Sequence, residues 1–156
     1  MKQLPIKQKK TTKSTKDTKN KKTKKSSYIY AVGRRKTASA RVRLYLNKKG
    51  DVIINEKPIK EYFPGEAFEK TYLAPLRTAN VIGKYLITVK VNGSGKIGQL
   101  GAVIHGISRV LVKLDKEKFS PLLKKRGFLT RDPRKKERRK AGMGGKARRK
   151  RQSPRR

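Results

Sequence analysis

The chain has 156 residues, 46 Lys or Arg against 10 Asp or Glu, a formal net charge of +36 and no Cys. The missing Cys excludes disulfides, thiolate catalysis and Cys-built metal centres. Self-repulsion on this scale is sustained only against a polyanion, and RNA is the abundant one, bound with release of its counterions. No apolar run approaches the ~20 residues of a membrane span, and the N-terminus lacks the apolar core of a secretory signal.

The charge is unevenly divided. Residues 1–27 carry eleven Lys against Asp17, 28–123 carry eighteen basic and seven acidic residues, and 124–156 carry seventeen Lys or Arg against Asp132 and Glu137. The long apolar runs lie in the middle segment, which has the common size of a domain. The sequence therefore reads as a disordered Lys-rich arm over 1–27, a globular domain over 28–123 and a basic tail over 124–156. Arm and tail lack the apolar surface to fold alone.

In chain order, Tyr28 to Gly33 reads as a strand. From Ala38 to Leu46 the pattern alternates: Ala40, Val42, Leu44 and Leu46 on one side, Arg41, Arg43 and Tyr45 on the other. Period two predicts a half-buried strand, its outer face either a solvated surface or one that meets RNA. Asn47 to Asp51 reads as a hairpin turn and Val52-Ile53-Ile54 as its return strand. Residues 57–63 predict a short helix opened by Pro58. Ala67 to Leu73 predicts a second helix stopped by Pro75. Tyr85 to Val91 is the next strand. After the Gly-rich stretch 93–95, Leu100, Val103, Ile104, Ile107, Val110, Leu111 and Leu114 fall at helical spacing. Gly98, Gly101, Ala102 and Gly106 let that helix sit close to a sheet, and His105, Arg109 and Lys113 recur on its polar face. In the tail, Asp132-Pro133 reads as the start of a short basic helix over Arg134–Lys140.

Gly93-Ser94-Gly95-Lys96-Ile97-Gly98 matches the dinucleotide pattern G-x-G-x-x-G. No second strand with a terminal acidic residue follows, because Asp115 ends the helix itself. Ile97 after Lys96 rules out a phosphate-binding Walker loop. What remains is a turn that either lets backbone approach RNA phosphate at a helix N-terminus or is simply tight. Gly33-Arg34-Arg35-Lys36-Thr37 is a basic turn with a hydroxyl, suited to clamping phosphate. His105 lacks ligating neighbours and reads as a surface residue. The carboxylates form no catalytic pair, and no metal or cofactor is expected.

Ala31-Val32-Gly33-Arg34-Arg35-Lys36-Thr37-Ala38-Ser39-Ala40-Arg41-Val42-Arg43-Leu44 resembles the opening strands of the ninth-protein family of the small ribosomal subunit. Ile54-Asn55-Glu56-Lys57-Pro58-Ile59 and Glu61-Tyr62-Phe63-Pro64 continue the likeness. So do Gly93-Ser94-Gly95, Gly98-Gln99, Ala102, Gly106 and Arg109, and then Gly127-Phe128-Leu129-Thr130-Arg131-Asp132-Pro133-Arg134. The likeness covers 28–156, with Ser94 in place of a Gly and no aromatic near the C-terminus. It implies an α/β (α+β) ribosomal fold, a four-stranded sheet with packed helices and a left-handed crossover. It implies a structural, non-enzymatic role with small-subunit rRNA, neighbouring head proteins and P-site tRNA as partners. RNA contacts then fall to Arg34, Arg35, Lys36, Thr37, Arg41, Arg43, Gly93, Ser94, Gly95, Lys96, Gln99, Arg109, Arg131, Arg134, Lys135, Arg138, Arg139, Lys146, Arg148 and Arg149. Arg151, Arg155 and Arg156 fall nearest the tRNA. Thr130 to Arg134 is similar to plastid and cyanobacterial members, which with the Lys-rich composition points to a plastid ribosome over a bacterial one. The rival reading is a free-standing protein that compacts nucleic acid; it leaves the folded centre unexplained.

Overall fold

The computed structural model describes residues 28–138. The arm 1–27 and the predicted contacts Arg139, Lys146, Arg148, Arg149, Arg151, Arg155 and Arg156 lie outside the described residues.

Alternation shapes the sheet. β1 (Tyr28–Arg35), β2 (Ala38–Tyr45) and β5 (Leu86–Asn92) form an antiparallel trio, and β3 (Val52–Ile54) and β4 (Lys57–Pro58) complete the order β1-β2-β5-β3-β4. Ala38, Ala40, Val42 and Leu44 of β2 are buried together with Ile87, Val89 and Val91 of β5, so one face of the sheet meets the core. The helices α1 (Ile59–Tyr62), α2 (Glu66–Thr78), α3 (Lys96–Leu114) and α4 (Lys116–Lys125) supply the rest.

The sheet has five strands where four were expected, the addition being two-residue β4. The turn Asn55-Glu56 between β3 and β4 has φ of 46° and 71°, the two positive values that a tight hairpin with matching twist requires. The predicted β2–β3 hairpin is absent. β3 runs parallel to β5 and pairs with it through Val52↔Ile87 and Ile54↔Val89, and a parallel partner demands the crossover that α1 and α2 provide. Leu46, expected inside, is exposed because β2 ends at Tyr45.

Pro75 does not stop α2, which continues to Thr78. Pro75 is fully buried beside Tyr72 and Leu76, and packing outweighs the lost backbone bond. No helix follows Asp132 among residues 131–138. The Asp132 carboxylate accepts the Arg134 N–H at 2.9 Å as an N-cap would, yet the cations after it repel one another. α4 was not foreseen. Asp115 caps it, accepting from Lys118 N at 3.1 Å, and Phe119 and Leu123 bury one face, four residues apart.

α3 is the hub. Leu100, Val103, Ile107, Val110 and Leu111 are buried against the sheet, and α2 and α4 pack on the same helix. It has the length and apolar content of a membrane span, and its buried stripe accounts for that apolarity. Gly33 of β1 packs directly on the α3 backbone at Ala102 and Gly106. A Cβ placed on Gly33 would stand 1.9 Å from the Ala102 carbonyl oxygen and 2.3 Å from Gly106 N.

Candidate nucleic-acid interface

Three groups of sequence-predicted residues come together on this frame, and each is held by a different physical device.

The first lies at one end of the sheet. The Lys36-Thr37 turn between β1 and β2 touches the 93–95 turn between β5 and α3: a Cβ on Gly93 would fall 2.6 Å from the Thr37 carbonyl oxygen. Gly93 has φ 80° and Ser94 φ 57°, so the chain reverses sharply there. α3 begins at once behind Gly95, with no side chain capping its N-terminus. Its first N–H groups and the positive end of its dipole therefore stand open beside Lys36. Two predicted contacts brace this turn. Gln99 accepts from Tyr62 Oη at 2.8 Å and donates to the Gly93 carbonyl at 3.3 Å. Lys96 donates to the Tyr62 carbonyl at 3.2 Å and lies over that ring at 3.8 Å.

The second group is the uncovered sheet face. Arg41 stands opposite Lys90 and Val32, and Arg43 opposite Thr88 and Tyr30. Like charges directly opposite destabilise a sheet unless an anion intervenes. Arg43 lies 5.1 Å from the centre of the Tyr28 ring, Tyr28 and Tyr45 meet at 5.7 Å, and Lys48 sits 5.9 Å from the Tyr45 ring. Cations interleaved with aromatics suit phosphate and base stacking at once. Tyr45 was read on this face with Arg41 and Arg43, whereas Lys90, Lys48 and Tyr28 were missed; the alternation of Leu86 to Asn92 was the signal for Lys90.

The third group sits where the tail leaves. Arg35 runs across Gly101 and reaches the Asp132 carboxylate at 2.6 Å, while Arg134 grips the same carboxylate at 3.0 and 2.7 Å. Arg134, then its backbone N–H, hold the Asp132 carboxyl far below the usual carboxylate range. Arg35 and Arg134 are thus engaged within the chain, and Arg34, Arg131, Lys135 and Arg138 are exposed.

Arg109 is used differently again. It donates to the Val32 carbonyl, Lys113 donates to the Tyr30 carbonyl at 2.8 Å, and His105 Nδ1 accepts from Arg34 N at 3.3 Å. His105, expected at the surface, is half-buried and also bonds the Leu129 backbone. Burial, then the Arg109 cation, lower its pKa. These three side chains occupy the Arg34 N–H and the Val32 and Tyr30 carbonyls on the outer side of β1, the edge strand, and hinder its pairing with other chains. Among the described residues no group of three or more His, Cys, Asp or Glu is placed to hold a metal.

A sequence family described as Ribosomal protein S9/S16 matches residues 33–156. A curated relative from Maridesulfovibrio salexigens, "Small ribosomal subunit protein uS9", is 47% identical over 116 residues, which cover 74% of this chain and 88% of the relative. Motif order, fold and these matches agree: the chain belongs to the S9/S16 family of ribosomal proteins.

Proposed function

We propose that the chain is a structural constituent of the small ribosomal subunit that binds small-subunit rRNA in the head, beside neighbouring head proteins, and directs its tail towards the P-site tRNA. Family membership makes it a structural protein and not an enzyme. The observation that carries the rRNA reading is the meeting of the Lys36-Thr37 and 93–95 turns at an uncapped helix N-terminus. Backbone N–H groups, a dipole and cations there face the same space, the arrangement that accepts phosphate. The Arg41, Arg43 and Lys90 face adds a second surface for backbone or unpaired bases. For the tail, support comes from the family match and from the charge of 124–156. The Lys-rich composition and Thr130 to Arg134 favour a plastid ribosome over a bacterial one, and mapping the encoding gene to a plastid or bacterial genome tests that.

The test is assembly. The tagged chain should sediment with small subunits and stay there after a high-salt wash. Replacing Arg41, Arg43 and Lys90 together by Ala should weaken its binding to purified small-subunit rRNA without lowering its melting temperature. Sedimentation apart from ribosomes, with equal affinity for any duplex DNA, would overturn the proposal in favour of a compacting protein.

A further inference from the structure

At the opposite end of the sheet from the two turns, α1, α2, β3 and the 81–85 loop border a cavity of about 240 Å³. Val52, Ile59, Tyr72, Leu73, Leu76 and Ile87 make its lining apolar. Tyr72 is 1% exposed, and its hydroxyl is buried with no hydrogen-bond partner. Beside it, Ile82 and Leu46 are 50% and 45% exposed, and with Tyr85 they border a shallower depression. The apolar surface therefore continues outside the cavity.

The charge at this corner is nearly balanced, unlike that of the chain. The cavity and the depression are lined by Asp51 and Glu69 against Lys49, Lys60 and Lys84, whereas the whole carries +36. Lys57, Lys60 and Lys70 are each paired, with Glu61, Glu69 and Glu66. Asp51 lines the cavity, is exposed, and makes no ion pair among the described residues. An RNA surface needs a positive excess. An apolar patch with a polar rim is the anatomy of a protein contact.

We propose that this corner docks a neighbouring protein of the small subunit. The partner inserts one aliphatic or aromatic side chain into the cavity and sets a flanking Lys or Arg against Asp51. This rests on the small-subunit reading above. The cavity is smaller than the ~300–1,000 Å³ of small-molecule sites and suits a single large side chain. The exposed Ile82 and Leu46 beyond its mouth call for a longer partner than a metabolite. A peptide segment also brings backbone carbonyls, the acceptor that the Tyr72 phenol lacks.

The experiment places p-benzoylphenylalanine at position 82 of the full chain, incorporates it into small subunits, and identifies the photo-cross-linked product by mass spectrometry. The expected product is a single small-subunit protein, joined at an apolar residue next to Lys or Arg, and most of it should be lost when Asp51→Lys is added. A product with RNA, a product with residues 1–27 of the same chain, or no product would overturn the docking proposal. Binding of the same variants to purified small-subunit rRNA is read separately. If it is retained while no protein cross-link forms, only the docking proposal falls. If it is lost, the functional reading falls with it.

Discussion

Asp132 is the residue on which the tail's departure turns. It is one carboxylate among cations, gripped by Arg35 from β1 and by Arg134 two positions on. Asp132→Asn keeps the shape and removes the charge. It should release both guanidinium groups, and limited trypsin digestion should then cleave faster at Arg131 and Arg134. His105 gives a second readout at this scale. The unfolded chain takes up the proton near pH ~6.5, whereas the folded chain resists it because of burial and Arg109. Stability is therefore full above that pH and falls as pH drops from about 7 towards 5. Thermal melts across this range should show the decline, and His105→Gln should flatten it. The Asp132 carboxyl contributes in a separate, lower window, lost as pH falls below the ordinary carboxylate range.

The β1–α3 contact shows what elements demand of single positions. Gly33→Ala would drive a methyl into the backbone of α3. It should cost about 3 kcal/mol in urea unfolding, the upper end of ordinary overpacking. Gly95→Ala is the control, since nothing lies within 4 Å of its added Cβ. The sequence showed α3 through its apolar spacing and showed β2 and β5 through alternation, because period and burial coincide there. It hid the β3–β5 pairing, since a three-residue strand carries too little pattern to choose a partner. It hid α4 because Pro121 and the surrounding lysines masked the Phe119 and Leu123 pair. For the site, residue type told which side chains are cations but not where each is committed. Arg35, Lys96, Arg109 and Arg134 all bind groups of their own chain, which only the tertiary arrangement decides.

The whole molecule is polarised: basic turns and an open basic face at one part, a near-neutral apolar corner at another. Affinity for rRNA should fall steeply with salt. If about ten phosphates are neutralised, the slope of log K against log salt should be roughly −7 to −9, and filter binding from low to high salt measures it. Deleting Arg155 and Arg156 leaves most of the tail charge in place. Subunit yield should therefore stay near normal, while tRNA dissociates faster from the P site of programmed subunits; unchanged release would remove the tail from that role. The guarding of β1 has a further consequence. One step of four residues along α3 advances ~6.0 Å, and two residues along β1 advance ~6.8 Å. His105, Arg109 and Lys113 thus meet Arg34, Val32 and Tyr30 like two rulers of slightly different gauge. The mismatch grows with each rung, and the longer side chains of Arg and Lys stand at the later rungs, where more reach is needed. α3 ends at Leu114 and β1 begins at Tyr28, so the ladder stops before the two rulers drift out of step. A single residue inserted into α3 between His105 and Lys113 would turn the far rungs by about 100° and uncover the edge of the sheet.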